Sequence, residues 1–123
     1  MSAPRILVVE DHAEIRELLV EFLESHGYEV DTSRHGGEAL ERLREGHLPD
    51  LVMLDLTMPV MDGWTLRNAL LEDPAWKDLP VVVISALAEG VQPPQIAASL
   101  AKPIDLDLLL ATVERLLAVR QMG

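Results

Sequence analysis

The chain has 123 residues, of which 49% are hydrophobic, and this suits one ordinary domain with a core of its own. Its formal net charge of -11 repels phosphate backbones and anionic membrane surfaces, so direct nucleic-acid or membrane binding is not expected. The absence of cysteine excludes disulfides, thiol catalysis and thiolate metal sites. No signal peptide or membrane span is evident, so a cytoplasmic protein is expected.

Two apolar patterns predict the first strand and the first helix. The first strand is predicted at residues 5–9, because the four residues after Arg5 are all apolar, which is typical of a buried strand. Glu10 and Asp11 follow it directly. From Ala13 the apolar residues recur at helical spacing, with acidic residues on the other face. Gly27 is expected to end this helix.

The next segment predicts an edge strand and a second helix. Residues 28–32 alternate between apolar and polar side chains, as a strand at the edge of a sheet does. The helix is expected to begin at Gly36 and Gly37, and Gly46 is expected to end it. Pro49 then returns the chain to an extended conformation.

Residues 51–54 form a wholly apolar run that ends on Asp55. Such a run suits a strand buried on both faces, the kind found in parallel sheets covered by helices. Ligands bind at the carboxyl ends of strands in open α/β sheets, so Asp55 is a candidate for chemistry. Asp55 fits equally well as a residue that ends the strand and begins a turn.

A third helix and a fourth strand are predicted beyond this point. The helix follows Gly63 and must end before Pro74, because proline cannot continue it. Residues 81–84 are apolar and predict another buried strand, which is followed by Ser85.

The C-terminal part predicts an irregular connection, a short strand and a helix. Residues 87–102 contain two consecutive prolines, and a short fifth strand at residues 98–101 precedes Lys102. Asp105 is expected to cap the last helix. The alternation of strands and helices predicts an α/β fold, with one parallel sheet between helices on both faces and the strand order 2-1-3-4-5.

The polar residues that follow the strands form the candidate site. In this strand order the first and third strands are neighbours, so the carboxylates of Glu10, Asp11 and Asp55 are expected to converge. Carboxylates within a few ångströms of one another repel by roughly 4 kcal/mol per pair at an intermediate effective dielectric constant. A Mg²⁺ ion would neutralise these charges and would also accept phosphate oxygens as ligands. With the Ser85 hydroxyl and the Lys102 charge, the set suits phosphoryl transfer to Asp55 as the nucleophile.

In these motifs the chain resembles the receiver domains of two-component response regulators, of the chemotaxis-regulator type. The resemblance extends from residue 5 to about residue 119, so residues 1–123 are expected to form a single receiver domain. It implies a flavodoxin-like (βα)5 doubly wound parallel sheet, with a fourth helix that is shortened or irregular here. It rests on Glu10-Asp11, Asp55, Met58-Pro59, Asp62-Gly63, Ser85-Ala86 and Lys102-Pro103.

The resemblance also implies the chemistry. Asp55 would accept a phosphoryl group from a histidine kinase or a histidine phosphotransfer protein. The chain would act only on itself and would not be an enzyme. Mg²⁺ would be bound by Asp11, Asp55 and the backbone carbonyl of Thr57, with Glu10 acting through water.

Three further residues have roles that the resemblance implies. Lys102 would contact the phosphoryl oxygens, Ser85 would move towards them as the switch hydroxyl, and Thr57 would tune the access of the attacking water. Ser85 would also fit as a residue that simply ends a strand, and Lys102 with Pro103 would also fit as part of an ordinary loop. The downstream partner would be a protein that the sequence does not name.

Two features depart from the receiver pattern. Ser99 stands three residues before Lys102, where receivers usually carry an aromatic residue, and the segment between Ser85 and Lys102 is short. An alternative function is therefore a protein-interaction module that works without phosphorylation. A third hypothesis, a phosphatase with an aspartate nucleophile, requires a second aspartate where Thr57 stands.

The remaining polar and apolar signals predict surface features. The four histidines have no metal-ligand spacing and are predicted to be surface residues; they are His12, His26, His35 and His47. Leu108, beside Leu109 and Leu110, gives the last helix more apolar surface than one core face needs, which suggests a partner surface such as that of a homodimer.

Overall fold

The computed structural model describes residues 3–46, 48–55, 72, 76, 78–85, 98–101 and 104–122. The predicted third helix and the connection that follows Ser85 lie outside these residues. Strands and helices alternate along the described chain: β1 Arg5–Val9, α1 Ala13–Ser25, β2 Glu29–Ser33, α2 Gly36–Arg44, β3 Leu51–Asp55, β4 Val81–Ser85, β5 Ala98–Ala101 and α3 Leu106–Met122.

The five strands form one parallel sheet in the order β2-β1-β3-β4-β5, which confirms the predicted topology. The apolar runs of β1, β3 and β4 occupy the three inner positions, and their aliphatic side chains are buried. Strands covered on both faces need such continuous apolar sequences. The alternating strand β2 is at one edge, as its pattern predicts.

Successive side chains of the three inner strands enter two separate cores, one on either face of the sheet. Leu7, Val9 and Leu54 belong to the core beneath α2. Val8 and Met53 belong to the other core, which α1 and α3 cover. The period of two along a strand produces this division, and it accounts for the helices on both faces.

Local signals position the ends of the helices largely as predicted. Gly27 and Gly46 follow α1 and α2 with φ of 91° and 95°, a left-handed conformation that favours glycine. The Asp105 carboxylate accepts a hydrogen bond from the Leu108 amide at 3.1 Å and so caps α3. The strand β2 begins one residue later than predicted, at Glu29, because the Glu29 amide donates the first ladder bond, to the Pro4 carbonyl.

Among the described residues, none of the helices has the length and apolar content that crossing a bilayer takes.

Candidate functional site

The carboxyl ends of the parallel strands meet at one edge of the sheet. The register pairs Val9 of β1 with Leu54 of β3, so the residues that follow them, Glu10 and Asp55, occupy neighbouring positions. On the other side of β3, Asp55 pairs with Ile84, the residue before Ser85. The geometry of the sheet therefore brings together chain positions that are 45 and 30 residues apart in sequence.

Glu10 is held at this edge by main-chain hydrogen bonds. Its amide donates to the Ser33 carbonyl at 2.9 Å, so the β1–β2 ladder continues for one residue beyond Val9. Its carboxylate Oε1 accepts from the His12 amide at 3.0 Å, and its carbonyl accepts from Nη1 of Arg16 at 2.9 Å. As a result, the side chain is only 1% exposed although it is acidic.

A compact group of possible metal ligands follows β1. One ligand atom from each of Glu10, Asp11 and His12 lies within 4.8 Å of the other two. Glu10 is buried, whereas Asp11 and His12 are exposed. The group therefore extends from the interior to the surface and is accessible to an ion from solvent.

Asp55 ends β3 and is 1% exposed. Within the described residues, the 4.8 Å group does not include Asp55. Asp55 is nevertheless the neighbour of Glu10 across the β1–β3 ladder, in which the strands lie about 4.8 Å apart. Glu10 and Asp55 are both withdrawn from water at neighbouring strand ends, and a buried carboxylate needs polar partners because burying a charge costs free energy.

The other predicted site residues are described only in part. Ser85 ends β4 and pairs with Ala101, the residue before Lys102, and these two positions are at the same edge as Asp55. Lys102 and Thr57 themselves lie outside the described residues. Ser99 is in β5, opposite Val83. The roles predicted for Ser85, Lys102 and Thr57 remain predictions.

The donor set described here fits Mg²⁺. Glu10, Asp11 and Asp55 offer carboxylate oxygens, which hard cations prefer, and two of these groups are withdrawn from water. The ring nitrogen of His12 suits softer transition metals better. A divalent cation here would reduce the repulsion between the carboxylates and supply positive charge to phosphate oxygens.

Two residues near this edge were not predicted as members of the site. His12 is exposed, as predicted for all four histidines, yet its ring lies within the group of possible ligands. Arg16 is on α1, and its guanidinium reaches the Glu10 carbonyl. The four-residue spacing from His12 to Arg16 is one helical turn, and it could have indicated that both side chains lie near the end of β1. His26 and His35 are also exposed, and His47 lies outside the described residues.

Comparison with known proteins identifies relatives with this arrangement of strands. A family model described as "Response regulator receiver domain" matches residues 6–114. The response regulator PleD of Caulobacter vibrioides is 42% identical over 121 residues, which cover 94% of this chain and 26% of PleD. The polar-differentiation response regulator DivK of Brucella anthropi is 30% identical over 114 residues, which cover 89% of this chain and 92% of DivK.

Solved structures agree with the sequence relatives. The response regulator TrrA from Thermotoga maritima, solved in complex with Mg²⁺-BeF, matches with a TM-score of 0.79 and 34% identity. The match covers 92% of this chain and 98% of that one. The flavodoxin-like α/β fold predicted from the sequence is therefore confirmed. This chain belongs to the family of response regulator receiver domains of two-component signalling systems.

Proposed function

We propose that this chain accepts a phosphoryl group on Asp55 in an Mg²⁺-dependent reaction and that the phosphoryl group switches its interactions with partner proteins. The observation that carries this proposal is the pair of buried carboxylates, Glu10 and Asp55, at neighbouring strand ends. Such a pair suits one carboxylate that helps hold a cation and one that reacts. The chain's membership of the receiver family supports the same assignment.

The proposed reaction forms one bond and breaks one. A carboxylate oxygen of Asp55 attacks the phosphorus atom of the donor, and the bond from phosphorus to the donor's histidine nitrogen breaks. The electron pair of that bond leaves with the imidazole. Hydrolysis of the resulting aspartyl-phosphate restores Asp55, so the chain acts on itself and does not turn over external substrates.

The cation would be held by Asp11, Asp55 and the backbone carbonyl of Thr57, with Glu10 acting through water. The Mg²⁺-BeF complex of TrrA supports the choice of Mg²⁺. When bound, the cation supplies positive charge to the phosphoryl oxygens. The low exposure of Glu10 and Asp55 strengthens that attraction, because charges interact more strongly away from water.

Two residues at the carboxyl ends of β4 and β5 complete the proposal. Lys102 would contact the phosphoryl oxygens, and Ser85 would donate its hydroxyl to them. Their positions in the chain support this, since Ser85 ends β4 and Lys102 follows β5 directly. Movement of Ser85 would bias the chain between two conformations.

The proposed partners follow from the family. The phosphoryl donor would be a histidine kinase or a histidine phosphotransfer protein, and the output would pass through a downstream protein in the cytoplasm. Leu108 on α3 is 52% exposed and supports a contact surface there, for which a homodimer is one candidate occupant.

Intact-mass spectrometry tests the proposal. The chain is incubated with acetyl phosphate, with and without Mg²⁺, as wild type, Asp55→Asn and Asp107→Asn. Asp107 is an exposed aspartate in the first turn of α3, so its substitution makes the same chemical change away from the site. We expect the mass of one phosphoryl group to be added to the wild type and to Asp107→Asn only when Mg²⁺ is present.

The same experiment separates the alternatives. If the wild type gains no phosphoryl group and does not bind Mg²⁺-beryllofluoride, the chain is an interaction module that works without phosphorylation. If Asp55→Asn is modified as fully as the wild type, another residue is the acceptor. Release of phosphate from unrelated phosphoesters would indicate a phosphatase.

A further inference from the structure

A groove runs between α1 and the edge strand β2, and none of its lining residues is one of the carboxylates of the site described above. Its volume is about 340 Å³. Val20 and Val30 form the apolar part of its lining, called the floor below, and Arg16, Glu17 and Glu21 form the charged part, called the rim. It is lined by Arg16, Glu17, Val20, Glu21, Val30 and Thr32.

The groove borders an open sheet edge. In the described sheet, β2 has a neighbour only on its β1 side. The Glu29 amide donates to Pro4, and the Ser33 carbonyl accepts from Glu10, so these alternate residues of β2 direct their main-chain groups towards β1. Successive residues of a strand direct these groups to opposite edges, so Val30 and Thr32 direct theirs outward.

The charges on the rim favour a basic ligand. Glu17 and Glu21 are exposed and lie one helical turn apart, so their negative charges repel each other. The one positive charge among the lining residues, on Arg16, is at the end of the groove where its guanidinium donates to Glu10. A lysine or arginine side chain would therefore be favoured near Glu17 and Glu21.

The size of the groove matches a short extended segment. From Arg16 to Glu21 the helix rises about 7.5 Å. Two to three residues of extended peptide cover the same distance. A second copy of the chain is disfavoured as the occupant, because it would bring its own Glu17 and Glu21 against this rim.

We infer that the α1–β2 groove binds an extended segment of a partner protein, which pairs with the outer edge of β2 and places a basic side chain against Glu17 and Glu21. Main-chain hydrogen bonds to Val30 and Thr32 would provide affinity, and the apolar floor would accept one aliphatic side chain.

The test uses the full chain and the probe peptide acetyl-Lys-Thr-Val-Thr-Lys amide, in which the two lysines and the valine share one face when the peptide is extended. Binding is followed by NMR titration and amide hydrogen exchange. We expect slower exchange at the Val30 and Thr32 amides when the peptide is bound. The double variant Glu17→Gln/Glu21→Gln should bind roughly fivefold more weakly. Its matched control is Glu14→Gln/Glu24→Gln, which removes two exposed charges from the same helix outside the groove and should change binding less than about twofold.

Three outcomes would overturn the inference. Equal weakening in both double variants would mean that the peptide responds only to the overall negative charge. Unchanged exchange at Val30 and Thr32 would mean that it does not pair with β2. Slower exchange at these amides on raising the protein concentration without peptide would mean that a second copy occupies the groove.

Discussion

Replacing Glu10 with glutamine should stabilise the metal-free chain. The substitution removes one of the two buried negative charges at the strand ends and keeps the size of the side chain. The amide oxygen of glutamine can still accept the hydrogen bond that the His12 amide now donates to Glu10 at 3.0 Å. Glu10→Gln therefore changes the charge with little change in geometry.

The expected magnitude follows from the spacing of the strands. Glu10 and Asp55 are at neighbouring positions of strands about 4.8 Å apart. Asp55 is not in the described group of ligand atoms that lie within 4.8 Å of one another, so the charges are taken to be roughly 7 Å apart, where they repel by about 2 kcal/mol at an effective dielectric constant near 20. The new amide N–H groups must find partners in a buried setting, which costs about 1 kcal/mol. The net gain in unfolding free energy should be about 1 kcal/mol.

Urea unfolding with chelator and with Mg²⁺ measures this gain. In chelator, Glu10→Gln should be more stable than the wild type. The wild type should gain about 2.7 kcal/mol when Mg²⁺ is present at about 100 times its dissociation constant, and the variant should gain much less at the same concentration. Glu24→Gln, on the exposed side of α1, serves as the control and should behave as the wild type does.

A variant that is less stable than the wild type in chelator would refute this reasoning. It would mean that the Glu10 charge is stabilised within the fold and that a cation is not needed to offset it. Equal Mg²⁺ stabilisation of the two proteins would likewise show that the Glu10 charge does not contribute to cation binding.

Three further predictions concern residues outside the site. Gly27→Ala should lower the unfolding free energy by about 1 kcal/mol in urea titrations, because Gly27 has φ of 91°. Burial acts to raise the pKa of Glu38, but hydrogen bonds from the amide and guanidinium of Arg34 outweigh it, and the pKa is lowered. Stability from the Glu38 charge is thus lost as pH falls through the lowered pKa, and the destabilisation caused by Glu38→Gln should be larger at about pH 7 than at about pH 2. Leu108→Glu should leave monomer stability unchanged within about 0.5 kcal/mol, and it should abolish any beryllofluoride-induced dimer seen by light scattering; a dimer that persists would place the interface elsewhere.

The sheet was predictable because its strands carry their own signal. Residues 51–54 are uniformly apolar, and only a strand covered on both faces suits such a run. The strand order followed from the alternation of elements and the handedness of crossovers. The start of β2 could not be predicted to the residue, because Tyr28 and Glu29 both fit its alternating pattern. The hydrogen bond from the Glu29 amide to the Pro4 carbonyl makes Glu29 the first residue of the strand.

The site was predictable by position but not in its detail. Sequence places Glu10 and Asp11 together after β1, yet it does not say which is buried. The hydrogen bond to Ser33 decides this, because it keeps Glu10 in the ladder and leaves Asp11 exposed beyond it. The α2 cap was missed for a similar reason: Nδ1 of His35 accepts from the Glu38 amide at 3.2 Å, a role more often filled by serine or aspartate.

The central claim is that residue 55 carries the phosphoryl group, and chemical mapping of that residue tests it most directly. Borohydride reduces an aspartyl-phosphate to homoserine, which tandem mass spectrometry locates in the chain after treatment with a phosphodonor and Mg²⁺. We predict homoserine at position 55 alone, and none when Mg²⁺ is omitted. Homoserine at Asp11 or another aspartate, with Asp55 recovered intact, would contradict the account.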